Sequence, residues 1–347
     1  MNRISLKQIR IHQNALLRLH RRSKAVIRQG NIRRNNLPKP TTQKRINTPW
    51  YFDWEITTVP AEFNFSHIES VLAYINEIYK TSKQKLVTKI WMDMRSVTNI
   101  DIFCLCLLIS QINKLRNRHI ICYGNYPENP KQRNFISESG FLKLIKTNLR
   151  VSGTQSYFNQ MYMIGKNSVD SDHILKSVKR CMKQLSGKEE SYNPVFENMV
   201  EICANSVEHA NQINEDKNWL VSISQESNGI IRFILTDTGE GMLRTLVKKR
   251  RDMFSDIANG RKDCDVLKRL FNGDYQSRTG ETNLHLGLPE VYESFKAGFI
   301  SNLQVLTNSV NYDFSTDGST ILSNEFMGVM ITWTLSKTNI DIWKKSL

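Results

Sequence analysis

The stretch Glu197-Asn-Met-Val-Glu201-Ile-Cys-Ala-Asn205-Ser-Val-Glu-His209-Ala210, with Asp237-Thr-Gly239-Glu-Gly241 downstream, decides the reading of this chain. Glu201, Asn205 and His209 recur every four residues, so on a helix they align as one polar stripe. Phe196, Met199, Val200, Cys203 and Val207 fill the apolar face of the same segment. The spacing predicts an amphipathic helix that presents a carboxylate and a carboxamide one turn apart. Such a pair holds a water and a hard divalent cation side by side, which suits work on a nucleoside triphosphate.

Two strands are predicted after this helix, over 219–225 and 230–236. The second runs into Asp237-Thr238-Gly239-Glu240-Gly241-Met242. An Asp at the end of a buried strand can accept a hydrogen bond from an exocyclic amine such as adenine N6. Glycines after it let the backbone turn with positive φ and let a flat ring approach. Alone, this pattern reads equally well as a turn. Further on, Gly287 and Leu288 precede a helix predicted over 289–295, whose start offers N–H groups and a positive dipole end to phosphate oxygens. The intervening residues 243–280 include Arg244, Lys248, Lys249, Arg250 and Arg251. They read as a long loop, either a lid over the phosphates or a solvated surface excursion. Strands are predicted at 301–307 and 330–335. His209 reads as a packing or hydrogen-bonding group, Glu197 and Glu208 as solvated or capping charges, and Trp91 and Trp333 as core. A metal site built from protein ligands alone is not expected.

This order of helix, strands, Asp-Gly-Gly turn, glycine turn and helix resembles the histidine-kinase-like ATPase superfamily (GHKL, the Bergerat fold) over roughly residues 165–336. That superfamily includes gyrase, the heat-shock chaperone, mismatch-repair ATPases, sensor kinases and anti-sigma-factor kinases. The resemblance implies an α/β sandwich that binds ATP with magnesium. By it, Asn205 would hold the magnesium ion bridging the phosphates and Glu201 would be the general base. Asp237 would pair with adenine, and Gly239, Gly241 and Met242 would border the base pocket. Gly287 and Leu288 would sit beside the phosphates. The Glu-x3-Asn-x3-His spacing is closer to serine/threonine-type anti-sigma kinases than to sensor histidine kinases, which carry Asn at the first position. The chain departs from the family pattern at Asn283 and His285, where glycines are usual, and at Val329, where Thr commonly follows the glycine. The implied activity is magnesium-dependent ATP hydrolysis or Ser/Thr phosphoryl transfer. The alternatives are an ATP-gated interaction switch without significant turnover and a nucleic-acid-associated ATPase that uses the basic N-terminal arm.

Upstream, residues 50–146 alternate in α/β fashion. Strands are predicted over 50–58, 87–94 and 119–123, and helices over 65–79, 102–115 and 132–138. Ile68, Val71, Leu72, Ile75 and Ile78 make the apolar stripe of the first helix. The run Ile90-Trp-Met-Asp93-Met-Arg-Ser-Val97-Thr-Asn-Ile100-Asp101, leading into an apolar helix, resembles the STAS domain, which includes anti-sigma-factor antagonists. Switching members carry a phosphorylatable Ser or Thr directly after that Asp. Here Ile102, Phe103 and Cys104 follow Asp101, so the resemblance implies a structural or protein-binding module without that phosphorylation. The expected organisation is a basic arm (1–48), a STAS-like domain (49–147), a connecting strand and loop (148–170) and an ATP-binding domain (171–340). Together they make an α/β (α+β) protein.

The 347 residues are enough to bury two cores of ordinary size. The net charge of +15 is unevenly spread: residues 1–45 hold thirteen Lys and Arg and no acid, which leaves +2 for the rest (15 − 13). Ile9, Leu16, Leu19 and Val26 could make part of this arm helical. The arm is either a solvated tail or an attachment to nucleic acid, where each neutralised phosphate releases counterions. Cysteines 104, 106, 122, 181, 203 and 264 show no metal-type CxxC pair and read as buried free thiols of a reducing compartment. No apolar run approaches membrane-spanning length, the longest being 102–109. The N-terminus lacks the continuous apolar stretch of a secretory signal. The cytoplasm is the expected location, although an acid-free, Arg-rich start also fits a mitochondrial transit peptide.

Overall fold

The structure, a computed structural model, describes residues 54–84, 87–141, 153–157, 160–165, 169–208, 219–226, 228–249, 262–274 and 287–347. The basic arm, His209, Arg250, Arg251, Asn283 and His285 lie outside the described residues. Residues 53–347 form one compact unit. Its first part comprises β1 (Glu55–Thr58), β2 (Glu62–Phe63), α1 (Ile68–Thr81), β3 (Lys89–Asp93), β4 (Asn99–Ile100), α2 (Ile102–Asn117), β5 (Ile121–Gly124) and α3 (Pro130–Glu138). The hairpin β6 (Gly153–Tyr157) and β7 (Gln160–Gly165) follows, then α4 (Ser171–Ser186), α5 (Asn193–Glu208), β8 (Trp219–Gln225) and β9 (Ile231–Asp237). The chain continues through α6 (Met242–Lys249), α7 (Asp263–Phe271), α8 (Gly287–Lys296), β10 (Ser301–Asp313), β11 (Gly318–Leu335) and α9 (Lys337–Ser346). This is a mixed α/β architecture. A three-stranded sheet is parallel, in the order β1-β3-β5, a two-stranded parallel sheet pairs β2 with β4, and a six-stranded sheet is antiparallel, in the order β10-β11-β9-β8-β7-β6.

Local sequence explains the helices that matter most. In α1 the expected stripe of Ile68, Val71, Leu72, Ile75 and Ile78 is buried. In α2 every residue from 104 to 115 is buried, because this helix lies between the two sheets and has no solvent face. Asp101 caps it, accepting from the backbone N–H of Cys104 at 2.9 Å and of Phe65 at 2.6 Å. Asp170 caps α4 through the N–H of His173, and Gly187 ends that helix at φ +78°.

The antiparallel sheet is the middle layer. Adjacent residues of one strand point to opposite faces, and here each face has its own core. Val221, Phe233, Leu235, Ile331 and Trp333 join the helices α4, α5, α7 and α8. Leu220, Ile234, Leu306 and Met330 join α1, α2 and the parallel sheet. Polar contacts also tie the two parts: the Glu69 carboxylate on α1 accepts from the N–H groups of Ser323 at 2.6 Å and Asn324 at 3.1 Å, and Asn76 donates to the carbonyl of Glu325 at 3.0 Å.

Three expectations are corrected. Residues 243–280 are not one long loop: α6 and α7 lie within them, and Leu243, Leu246, Val266, Leu267, Leu270 and Phe271 are buried. Among the described side chains, Arg244, Asp265, Lys268 and Arg269 lie on the outer faces of these amphipathic helices. Beyond 249 and 274, up to 261 and 286, that stretch lies outside the described residues. The strands expected at 301–307 and 330–335 extend into a long hairpin, and α9 follows it, capped by Ser336 and Asn339. The connector supplies two strands at the end of the antiparallel sheet.

All six cysteines are buried and unpaired. Burial pushes the thiols of Cys106, Cys122 and Cys181 up to about 12, and those of Cys104 and Cys203 upward as well. A raised thiol pKa leaves little thiolate below it. Iodoacetamide at pH 8 is therefore expected to spare these five in the folded chain and to label all six cysteines in guanidinium, as counted by intact mass. Rapid native labelling of more than one cysteine would contradict this packing.

Candidate functional site

Glu201 and Asn205 lie one turn apart on α5, and α8 begins against them. A methyl group placed on Gly287 would lie 2.8 Å from Cβ of Glu201, 3.0 Å from Nδ2 of Asn205 and 3.1 Å from Oε2 of Glu201. Only a residue without a side chain lets the first turn of α8 come so near. The leading N–H groups of a helix lack partners within it and carry the positive end of its dipole. Leu288 and Val291 on α8 belong to the same buried core as Met199, Ile202 and Cys203 on α5, and the two helices pack against each other.

The charges at this junction are mostly negative. Glu290, in the first turn of α8, has its carboxyl raised above the ordinary value, first by burial and then by the charges of Glu201 and Glu197. Three carboxylates beside a helix start repel a bare anion but tolerate a cation and an anion arriving together. Among the described residues no group of three His, Cys, Asp or Glu side chains could hold a metal ion by itself. A divalent ion here would take the Asn205 carboxamide oxygen, with the remaining oxygens coming from its ligand and water. That hard-oxygen donor set fits magnesium.

A second group lies where β9 ends. The Asp237 carboxylate accepts from the N–H of Gly239 at 2.8 Å. The Ser206 hydroxyl reaches the other carboxylate oxygen at 3.3 Å and the Ile202 carbonyl at 3.0 Å. Ser206 directly follows Asn205, so one turn of α5 touches both groups. Beside Asp237 is a cavity of about 10 Å³ lined by Ile202, Cys203, Ser206, Trp219, Asp237 and Val329, among others. That is room for about one water.

The glycine turn after Asp237 is gripped from β10. Gly241 has φ +87°, and a Cβ on it would lie 2.5 Å from Nδ2 of Asn308. Asn308 donates to the Glu240 carbonyl at 2.8 Å and accepts from the N–H of Leu243 at 3.1 Å. The Thr307 hydroxyl accepts from the N–H of Met242 at 2.9 Å and donates to the Gly328 carbonyl at 3.0 Å. The start of α6 is thereby capped by side chains more than sixty residues away in sequence.

Of the residues expected at the site, Glu201, Asn205 and Gly287 come together, and Asp237 joins them through Ser206. Gly239 supports the Asp237 carboxylate, whereas Gly241 packs under Asn308. Leu288 is in the core and Met242 packs against it. Ser206, Trp219, Glu290 and Asn308 were not expected. Ser206 and Glu290 had a legible signal, each being next to a stripe or turn residue. Asn308 had none, because its role comes from the sheet register. No protein-family model matches the chain, and no curated protein matches it.

Proposed function

We propose that residues 171–340 bind ATP with magnesium in the manner of the histidine-kinase-like ATPases and turn it over, by hydrolysis or by phosphoryl transfer to a Ser or Thr hydroxyl. One observation carries this reading: Glu201 and Asn205 meet the start of α8 at Gly287 while Asp237 stands one hydrogen bond away, on Ser206. The antiparallel sheet with helices α4, α5 and α8 on one face is the kind of layer a Bergerat sandwich needs.

The chemistry divides among these groups. Asp237 offers a carboxylate to an exocyclic amine, which selects adenine over guanine because guanine presents a carbonyl at that ring position. The helix start at Gly287 offers N–H donors to phosphate oxygens. Asn205 supplies a neutral oxygen to the magnesium ion. The ion, when bound, offsets phosphate charge. Glu201 accepts the proton of the attacking water or hydroxyl. A purine requires the cavity wall of Ser206, Trp219 and Val329 to move outward, since the resting space holds only about one water.

Calorimetric titration of the full chain with ATP and magnesium tests this. Saturable binding is expected, with GTP weaker. Asp237→Asn is expected to weaken ATP about tenfold, equivalent to losing about 1.4 kcal/mol of hydrogen bonding to a charged group. Absence of saturable heat at millimolar Mg-ATP, or an Asp237→Asn variant that binds like the wild type, would refute the assignment.

A further inference from the structure

Trp219 pairs with Asp237 in the β8–β9 register, and Val329 pairs with Asp237 from the β11 side. Opposite residues of an antiparallel pair carry their side chains on one face, with Cβ atoms about 5 Å apart. Trp219 and Asp237 accordingly line the same small cavity, together with Ser206 and Cys203. Trp219 is only 6% exposed, and its indole N–H has no hydrogen-bond partner. Burying a donor unpaired costs free energy, and a ligand that pairs it recovers that loss.

Other orphaned polar atoms do not share this place. The hydroxyl of Thr236 is also unpartnered, but the residue opposite Thr236, Leu220, belongs to the core on the other face of the sheet. The Trp333 indole N–H is unpartnered too, yet Trp333 does not line the cavity and its ring stacks on Phe233. At Asp237 one carboxylate oxygen accepts from Gly239 and the other from Ser206. A carboxylate has acceptor sites beyond two, whereas an indole nitrogen only donates. One wall of the cavity therefore sets an acceptor next to a donor.

Adenine presents the complementary order along one edge: its N6 amine donates, and the adjacent ring N1 accepts. Guanine reverses both, with a carbonyl oxygen and an N1–H. We infer that Trp219 is a specificity-determining residue of the nucleotide site, donating its indole N–H to adenine N1 while Asp237 accepts from N6. This rests on the ATP reading proposed above and adds the donor half of base recognition to it. The wall that a purine must displace is the one that holds the unsatisfied donor.

Calorimetry of the full chain with magnesium and either ATP or 1-deaza-ATP, in which a C–H replaces N1, tests the assignment. The wild type is expected to bind the analogue about tenfold more weakly than ATP. Trp219→Phe is expected to weaken ATP about tenfold and to leave the affinity for the analogue nearly unchanged. A side chain that only packed would cost both nucleotides alike, so equal losses overturn the inference. Wild-type ATP affinity in Trp219→Phe also overturns it, since the N–H would then serve at most a water in the cavity. Circular dichroism confirms that the variant folds; should it not, the wild type alone decides, and equal affinity for ATP and the analogue overturns the inference. Each of these results leaves ATP binding in place, whereas no saturable heat with ATP itself removes the nucleotide reading and this role of Trp219 together.

Discussion

Glu201→Gln is expected to slow phosphate release about a hundredfold or more while changing Mg-ATP affinity by less than a factor of about three. Glutamine keeps the shape and one oxygen of glutamate, with an amide nitrogen in place of the other, but cannot accept a proton at neutral pH. The change removes general-base action and leaves the packing against Gly287 and Asn205 in place. It also removes one of the charges that raise the Glu290 carboxyl. One negative charge fewer then faces the phosphates, so repulsion there falls. Affinity that holds or improves while the rate collapses is thus the signature of a base. A variant that releases phosphate like the wild type would remove Glu201 from that role. A wild type that binds ATP without any rate would replace the enzyme reading with the ATP-gated switch.

Gly328→Ala is expected to destabilise the chain by about 3 kcal/mol, the upper range for forcing a methyl into filled space. Its Cβ would lie 2.9 Å from Cζ of Phe326 and closer still to the Asp237 carbonyl oxygen. Backbone cannot yield as a flexible side chain would. Val329 pairs with Asp237 in the β11–β9 register, and the Gly328 carbonyl accepts from Thr307. The methyl therefore pries β11 from β9 where the adenine contact is proposed. A fall in Tm of about 4 °C is expected for a chain of this length, together with weaker ATP binding. Gly187→Ala is the comparison: φ there is +78° but nothing lies within 4 Å, so only the left-handed backbone cost of about 1 kcal/mol applies. Equal melting of the two variants would disprove the close approach.

Periodicity carried most of the helices because burial and amphipathic spacing are the same fact. The stripe of α1, the apolar run that opens α2 and the helix bearing Glu201 are read from residue type alone. Residues 242–249 and 263–271 were hidden by composition: their Lys and Arg drew attention from Leu243, Leu246, Leu267 and Leu270, whose spacing is helical. In β11 the polar run Ser319-Thr320 and Ser323-Asn324-Glu325 masked an extended strand, since the hairpin's far half has little to bury. At the site, local spacing put Glu201 beside Asn205, and glycine chemistry anticipated the tight approach at Gly287. Ser206's bridge to Asp237 and Asn308's hold on Gly241 depend on partners 31 and more than sixty residues away. Such contacts follow from sheet order and bulged register in β10, which no local pattern encodes. The parallel and antiparallel sheets also share α2, an arrangement that two separate sequence patterns did not foretell.

That shared helix has a thermodynamic corollary. Because α2 has no wet side, lifting it away would strip oil from both strand systems at once. Neither half can loosen on its own without exposing the other, so the two behave as one cooperative block. A signal arriving at either end is felt as a change in the stability of the whole.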